Sequence, residues 1–213
     1  MWYLLYNVLL LVGSPLILLI LLGKKRSRPG LWQRLGLRLP PVGNLGADVI
    51  WVHAVSLGEV VAVTPLVQAL RTRYPHDRLV VSTVTETGRE AVEQRLAGVA
   101  EHCYAPLDFP WTVQAFIGRL KPRAVLFVET ELWPNLLRAL YRTGVPAIMI
   151  NGRLSTKSFR GYRRLKPFMT QVLEAVTLCL MQSDRDAERI IALGAEPARV
   201  VRTGNIKFDQ PVQ

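Results

Sequence analysis

The stretch Trp51-Val-His-Ala-Val-Ser-Leu-Gly-Glu59 sets a carboxylate, Glu59, just past the carboxyl end of a short apolar run, Val49-Ile-Trp-Val52. Open α/β sheets place their ligands at that end of parallel strands, so Glu59 is a candidate ligand-facing acid. It also falls in the first turn of an expected helix, where the dipole and free N–H groups favour negative charge. A plain helix-start acid is therefore the competing reading. Further along, Glu129-Thr-Glu131 leaves a second apolar run and is followed by Trp133-Pro134, with proline suited to the first turn of a helix. A carboxylate at the end of a buried strand costs free energy unless a cation or hydrogen-bond donors satisfy it. Two helix-start acids fit this pair, and so does a carboxylate held by a cation across a cleft. Lys207, in Thr203-Gly-Asn-Ile-Lys207, is the cation that the second reading nominates. It reads equally well as the surface lysine of a turn or as a point charge for an anionic group.

The elements that must position these residues follow from the hydropathy pattern. Short apolar runs predict strands over 49–53, 79–83, 102–105, 124–128, 147–150, 177–181 and 200–202. Amphipathic stretches predict helices over 59–74, 87–97, 111–120, 133–143, 159–175 and 184–193. Strands alternating with helices imply βαβ units and a doubly wound parallel sheet, and the near-continuous apolar strands fit burial on both faces. Ser183 suits the start of its helix and Gly194 the stop. In this register six polar segments follow strands: Ser56 to Glu59, Thr83 to Gly88, Glu129 to Asn135, Asn151-Gly-Arg153-Leu-Ser155, Gln182-Ser183 and Thr203 to Asp209. Each alone reads as an ordinary turn or cap; together, on one sheet edge, they predict a binding crevice. Thr85-Glu-Thr-Gly88 offers backbone N–H groups at a helix start, but no G-x-G-x-x-G follows a strand and no G-x-x-x-x-G-K-[ST] occurs. No phosphate-cradling loop is expected.

Charge is concentrated in two segments. Of 27 basic residues, six (Lys24, Lys25, Arg26, Arg28, Arg34, Arg38) precede the first acid, Asp48, and eight fall in the acid-free window from Leu132 to Leu173. Those eight are Arg138, Arg142, Arg153, Lys157, Arg160, Arg163, Arg164 and Lys166. Local basicity points to an anionic partner rather than to a generally basic protein. Met1 to Leu22 carries no charge and is long enough for a membrane anchor. The basic cluster follows the apolar run, the reverse of a signal peptide, and keeps its flank in the cytoplasm. Asn7 and Ser14-Pro15 make it a modest span, so a helix lying in the interface is the alternative. The expected organisation is an anchor over 1–22, a basic juxtamembrane linker over 23–47 along the membrane surface, and a Rossmann-like domain over 48–209. A nucleic-acid binder would show the basic patches without the apolar segment. Cys103 and Cys179 lack a C-x-x-C pattern and read as buried thiols, and His53, His76 and His102 have no partner at metal-ligand spacing. No metal site and no cofactor are expected.

These motifs resemble one family closely, the 3-deoxy-D-manno-octulosonic acid (Kdo) transferases of lipopolysaccharide assembly. The resemblance rests on His53-Ala-Val-Ser-Leu-Gly-Glu59, Pro65-Leu-Val-Gln-Ala-Leu70, Glu129-Thr-Glu-Leu-Trp-Pro-Asn135, Asn151-Gly-Arg-Leu-Ser155 and Gly204-Asn-Ile-Lys-Phe-Asp209, and it extends to the apolar N-terminus. It implies the N-terminal acceptor domain of a GT-B glycosyltransferase, metal-independent and inverting, that moves Kdo from CMP-Kdo to a lipid A precursor at the cytoplasmic face of the inner membrane. By the same resemblance Glu59 is the general base, and Glu129 and Lys207 stabilise the transition state. Ser56, Gly58, Arg153, Arg163 and Arg164 are the matching candidates for substrate binding, the basic surface holding lipid A phosphates. Two departures matter. Members of the family are about twice this length and carry most of the donor site in a second domain, so this chain is expected to be inactive alone; and Glu86 stands where many relatives have proline. The rival reading is a membrane-anchored, non-catalytic module with a Rossmann-like fold that binds anionic lipid and has no special need of Glu59.

Overall fold

The computed structural model describes residues 1–23, 30–39 and 48–209. Lys24, Lys25, Arg26 and Arg28, the basic flank of the apolar segment, lie outside the described residues. Seven strands, β1 Val49–His53, β2 Arg78–Thr83, β3 Glu101–Tyr104, β4 Pro122–Val128, β5 Ala147–Gly152, β6 Leu178–Met181 and β7 Val200–Arg202, form one parallel sheet in the order β3-β2-β1-β4-β5-β6-β7. The order reverses between β1 and β4, where a doubly wound sheet opens its crevice.

Alternation along each strand divides the core in two. Ile50, Val52, Leu79, Val81, Leu126 and Val128 face α3 (Leu57–Arg73) and α4 (Glu86–Arg95). Val49, Trp51, Val80, Val125, Phe127 and Met149 face α5 (Pro110–Leu120) and α6 (Pro134–Arg142). Strands buried on both faces read as continuous apolar runs, which is why the predicted strands lie within two residues of the observed ones at either end.

The helix predicted over 159–175 is two helices, α7 Thr156–Arg164 and α8 Lys166–Leu173. Pro167 sits in the first turn of α8; it has no N–H to donate back to Arg163, and Leu165 breaks the run at φ −109°, ψ 26°. The chain continues through α9 (Asp184–Ala192) and ends its described part in a short 3-10 turn, Ile206–Asp209, placed beside α3.

Before the sheet come α1 (Trp2–Gly23) and α2 (Leu31–Arg34). The short α2 falls within the segment read as a surface linker, but it packs onto the domain. Leu31 and Arg34 are buried, Arg34 donates to the Val84 carbonyl at 2.6 Å, and its guanidinium lies 4.6 Å from the centre of the Tyr104 ring. Arg34 is therefore not part of an exposed basic surface. The first two turns of α1 also meet the domain. Trp2, Tyr3 and Tyr6 surround Phe168 with ring centroids 6.4, 5.4 and 5.7 Å away. Beyond them α1 buries none of its residues and leaves a row of leucines and valines exposed.

Candidate functional site

Four helices at the carboxyl edge of the sheet start on their own hydroxyl caps. Ser56, Thr85, Ser155 and Ser183 accept from the backbone N–H three residues on, at Glu59, Gly88, Ser158 and Asp186. Much of the polar character along this edge is thus helix capping. Three carboxylates, Glu59, Glu129 and Glu131, are left over at the reversal point between β1 and β4.

Glu59 is buried in the first turn of α3. One carboxylate oxygen accepts from the Val55 N–H at 2.9 Å and the other from the Ser56 hydroxyl at 2.8 Å. With Ser56 capping in return, this is a capping-box-like arrangement in which the acid reaches the N–H one residue before the cap, at Val55, and the cap hydroxyl itself. The helix-start reading of Glu59 is thus correct as local structure, and the same geometry also fixes the carboxylate in the crevice. Burial pushes its pKa up to about 7; the Ser56 and Val55 hydrogen bonds pull it down, and the charges of Glu131 and Glu129 push it up again. Glu131 is raised in the same way by burial, offset by the Trp133 indole N–H that donates to it at 2.9 Å, and raised further by Glu129. Among the described residues none of the three carboxylates has an ion pair. Burial first, and then the like charges of neighbouring acids without an ion pair to offset them, raise the Glu59 carboxyl towards neutrality and suit it to accept a proton there. They sense one another's charge, yet no group of three His, Cys, Asp or Glu among the described residues converges as metal ligands do.

Glu129 and Asn151 end the adjacent strands β4 and β5, and both have φ of +54°. Left-handed backbone costs a residue with a Cβ about 1–2 kcal/mol, least for Asn. Strained positions of this kind cluster at functional sites. The Asn151 side-chain oxygen accepts from the Ile206 N–H at 3.2 Å, tying the turn that carries Lys207 to the end of β5. Lys207 itself is exposed and forms no ion pair with Glu129, so the cross-cleft pair expected from sequence is absent. A lysine reached through a 3-10 turn is placed by that turn and not by a carboxylate.

The remaining candidates divide. Ser56 shares the capping box with Glu59, and Gly58 lies exposed in the same turn, where an added Cβ would meet open space. Arg153 is exposed in the loop after β5; its carbonyl accepts from Thr130 at 2.7 Å, which holds that loop beside the carboxylates. Arg163 and Arg164 stand exposed at the end of α7, a helix with no buried residue, Arg163 lying 5.9 Å from the Phe159 ring centre. Neither contacts the three carboxylates. Glu86 opens α4 with an ion pair to Arg89 at 2.6 Å.

Two features were missed. His53 is fully buried at the end of β1, and burial holds its pKa down to about 3, so the ring is neutral. Ser82 accepts from the Trp51 indole at 2.7 Å and shares a second hydrogen bond with His53 Nδ1 at 2.8 Å, whose donor follows the histidine tautomer. Among the described residues His53 Nε2 has no hydrogen-bond partner, and the ring packs T-shaped on Trp133 at 4.6 Å. His53 thus braces the Trp133 whose indole holds Glu131. The other feature is Asp108, which accepts from Tyr6 at 2.8 Å and from the backbone N–H groups of Asn135 and Leu136 at 3.0 and 2.9 Å. It caps α6 from outside.

Fold and crevice define the class: a Rossmann-like α/β domain with acids at its topological switch point, of the kind that builds each half of a GT-B enzyme. A UDP-GlcNAc 2-epimerase from Neisseria meningitidis superposes with a TM-score of 0.55 at 14% identity, over 76% of this chain and 48% of that one, a likeness of fold alone. The family model described as 3-deoxy-D-manno-octulosonic-acid transferase (kdotransferase) matches residues 29–210. The chain belongs to that family. A 3-deoxy-D-manno-octulosonic acid transferase of Haemophilus influenzae is 36% identical over 98% of this chain and 50% of its own length. The transferase of Bordetella pertussis is 37% identical over 96% and 49%. The chain thus spans about half the length of these relatives.

Proposed function

We propose that this domain is the acceptor side of a glycosyltransferase that moves Kdo from CMP-Kdo to a lipid A precursor in lipopolysaccharide biosynthesis. Glu59 is the proton acceptor: the acceptor sugar's hydroxyl gives its proton to the carboxylate as its oxygen bonds to the anomeric carbon, and CMP leaves with the electron pair of the broken bond. Attack opposite the leaving group inverts that carbon. No metal takes part in this reading. The observation that carries it is a single carboxylate, buried at the switch point and raised to about 7, with donors fixing both oxygens. Glu129, strained at the end of β4, and Lys207, on the turn tied to Asn151, stabilise the transition state. Ser56, Gly58 and Arg153 line the acceptor's path, and Arg163 and Arg164 with the rest of the α7 basic face meet lipid A phosphates. In this reading the domain works at the cytoplasmic side of the inner membrane, and the exposed apolar helix α1 suits a lipid-linked acceptor.

The test is Kdo transfer from CMP-Kdo to lipid A precursor by a protein of the relatives' full length with this sequence as its N-terminal half, with and without Glu59→Gln. Loss of transfer with acceptor binding retained supports the reading. Equal transfer in both removes Glu59 as base, and no transfer in either favours the non-catalytic lipid-binding module.

A further inference from the structure

The polar side chains in the first two turns of the apolar helix all turn towards the domain. Tyr6 donates to Asp108 at 2.8 Å, Asn7 accepts from the Asn135 carboxamide at 2.7 Å, and Tyr3 lies under the Arg138 guanidinium at 4.3 Å. The outward side keeps only apolar residues, with Leu9, Val12, Leu16 and Leu19 each more than 60% exposed. The far end of α1 is tethered as well. Gly23 is seven residues from Gly30, whose α carbon packs on the Tyr104 ring. Seven residues reach about 25 Å at full extension, less than the ~30 Å hydrocarbon thickness of a bilayer. A helix with its start docked on the domain and its end held that close has no room to cross from one face to the other.

Beside the docked end, α6 presents Arg138 and Arg142 one turn apart, and among the described residues neither forms an ion pair. A hollow of about 500 Å³ opens next to them between Tyr3, Tyr141, Gln171 and Glu174. A smaller one of about 70 Å³, walled by Asn7, Gln114 and Asn135, flanks the same arginines on the other side. Tyr141 is exposed in the lining, and Trp111 is exposed on the neighbouring α5; aromatic side chains of this kind settle at headgroup level. Among the described residues Glu174 is the one carboxylate in the lining, and it stands at the end of α8, across the hollow from α6. Apolar helix, interfacial aromatics and unpaired arginines in one place match one occupant: a lipid with an anionic headgroup.

We propose that α1 lies along the bilayer surface instead of across it, and that Arg138 and Arg142 bind the phosphate of an anionic phospholipid whose acyl chains cover the exposed face of α1. The site deepens the membrane part of the proposed function and owes nothing to Glu59, so a failure of Kdo transfer leaves it standing.

The experiment is flotation of the 213-residue chain with vesicles of phosphatidylcholine alone or with phosphatidylglycerol added. The wild-type chain prefers the anionic vesicles by about fivefold or more. Arg138→Gln/Arg142→Gln loses most of that preference and keeps its binding to neutral vesicles through α1. Arg73→Gln/Arg95→Gln, on the opposite helix layer, behaves as wild type. The proposal is overturned if the first pair keeps the preference, if the second pair loses it equally, or if inorganic phosphate abolishes it, which would make free phosphate the ligand. For the placement of α1, an N-terminal epitope in intact Gram-negative spheroplasts stays protected from external protease; its digestion would show a spanning helix.

Discussion

Two desolvated carboxylates, buried Glu59 and half-buried Asp108, sit on opposite layers of the same sheet, and their surroundings separate their tasks. Each accepts from backbone N–H at the start of a helix, Glu59 at α3 and Asp108 at α6, and each is pushed up by burial, to about 7 and about 6. Asp108 receives three hydrogen bonds, two from backbone N–H groups and one from Tyr6, and no other carboxylate raises it. Glu59 receives two and faces Glu129 and Glu131. The first is a joint that holds α1 to α6. The second is a carboxylate left short of compensation in a crevice, which is the condition of a group kept ready to take a proton. Burial alone does not separate a structural acid from a functional one; the number of donors and the sign of the neighbours do.

The comparison breaks most sharply on activity. In a full-length protein Glu59→Gln is expected to lower Kdo transfer by about 10²–10⁴-fold without loss of melting temperature, since a neutral amide relieves repulsion from Glu129 and Glu131. A large drop in melting temperature would make Glu59 structural like Asp108. Conversely, Asp108→Ala leaves two helix-start N–H groups and Tyr6 without an acceptor and is expected to cost roughly 2–4 kcal/mol in denaturant unfolding. A loss under about 1 kcal/mol would mean that water replaces the carboxylate and the joint is weak.

A pH series sharpens the contrast. Glu59 is raised in the folded state from 4.5 to about 7, so the native state holds more protons than the unfolded one across that window. Its contribution is fully present below pH 4.5 and lost as pH rises through about 7, a decline of roughly 2–3 kcal/mol. The decline in unfolding free energy should be visibly smaller in Glu59→Gln, and transfer by the wild-type protein should rise through the same window as the base ionises. An identical pH slope in both proteins would place the shift elsewhere. The smallest effect is expected for Tyr6→Phe, about 1 kcal/mol, read as loss of protection from proteolysis in the first turns of α1. Unchanged protection would show that the Phe168 ring contacts alone hold the helix.

The crevice side of the comparison was legible in the sequence and the joint was not. Strand 49–53 and the Ser56–Glu59 spacing are local: the apolar run Val49–Val52, followed by a cap and an acid three residues on, names its own geometry. Pro167 was an equally local signal for the break between α7 and α8, though the apolar pattern of 159–175 hid it. By contrast, the partners of Asp108 lie 27 and 102 residues away, so no window contains them. Arg34 read as surface charge because its neighbours in sequence are basic, yet Val84 and Tyr104 bury it. The expected Glu129–Lys207 pair failed for a related reason: strand ends say which residues share an edge, but not how far a turn carries a side chain from it.

By itself, then, the chain determined its parallel sheet, the edge on which its polar segments gather and the family to which its motifs belong, because hydrophobic periodicity and helix capping act over a few residues. Tertiary structure alone decided that Asp108 caps α6, that Tyr3, Tyr6 and Asn7 face protein while the leucines of α1 do not, and that Glu59 lies among like charges. Those outcomes depend on which groups share a desolvated space, and burial and charge coupling act through distance in the folded molecule, not through position along the chain.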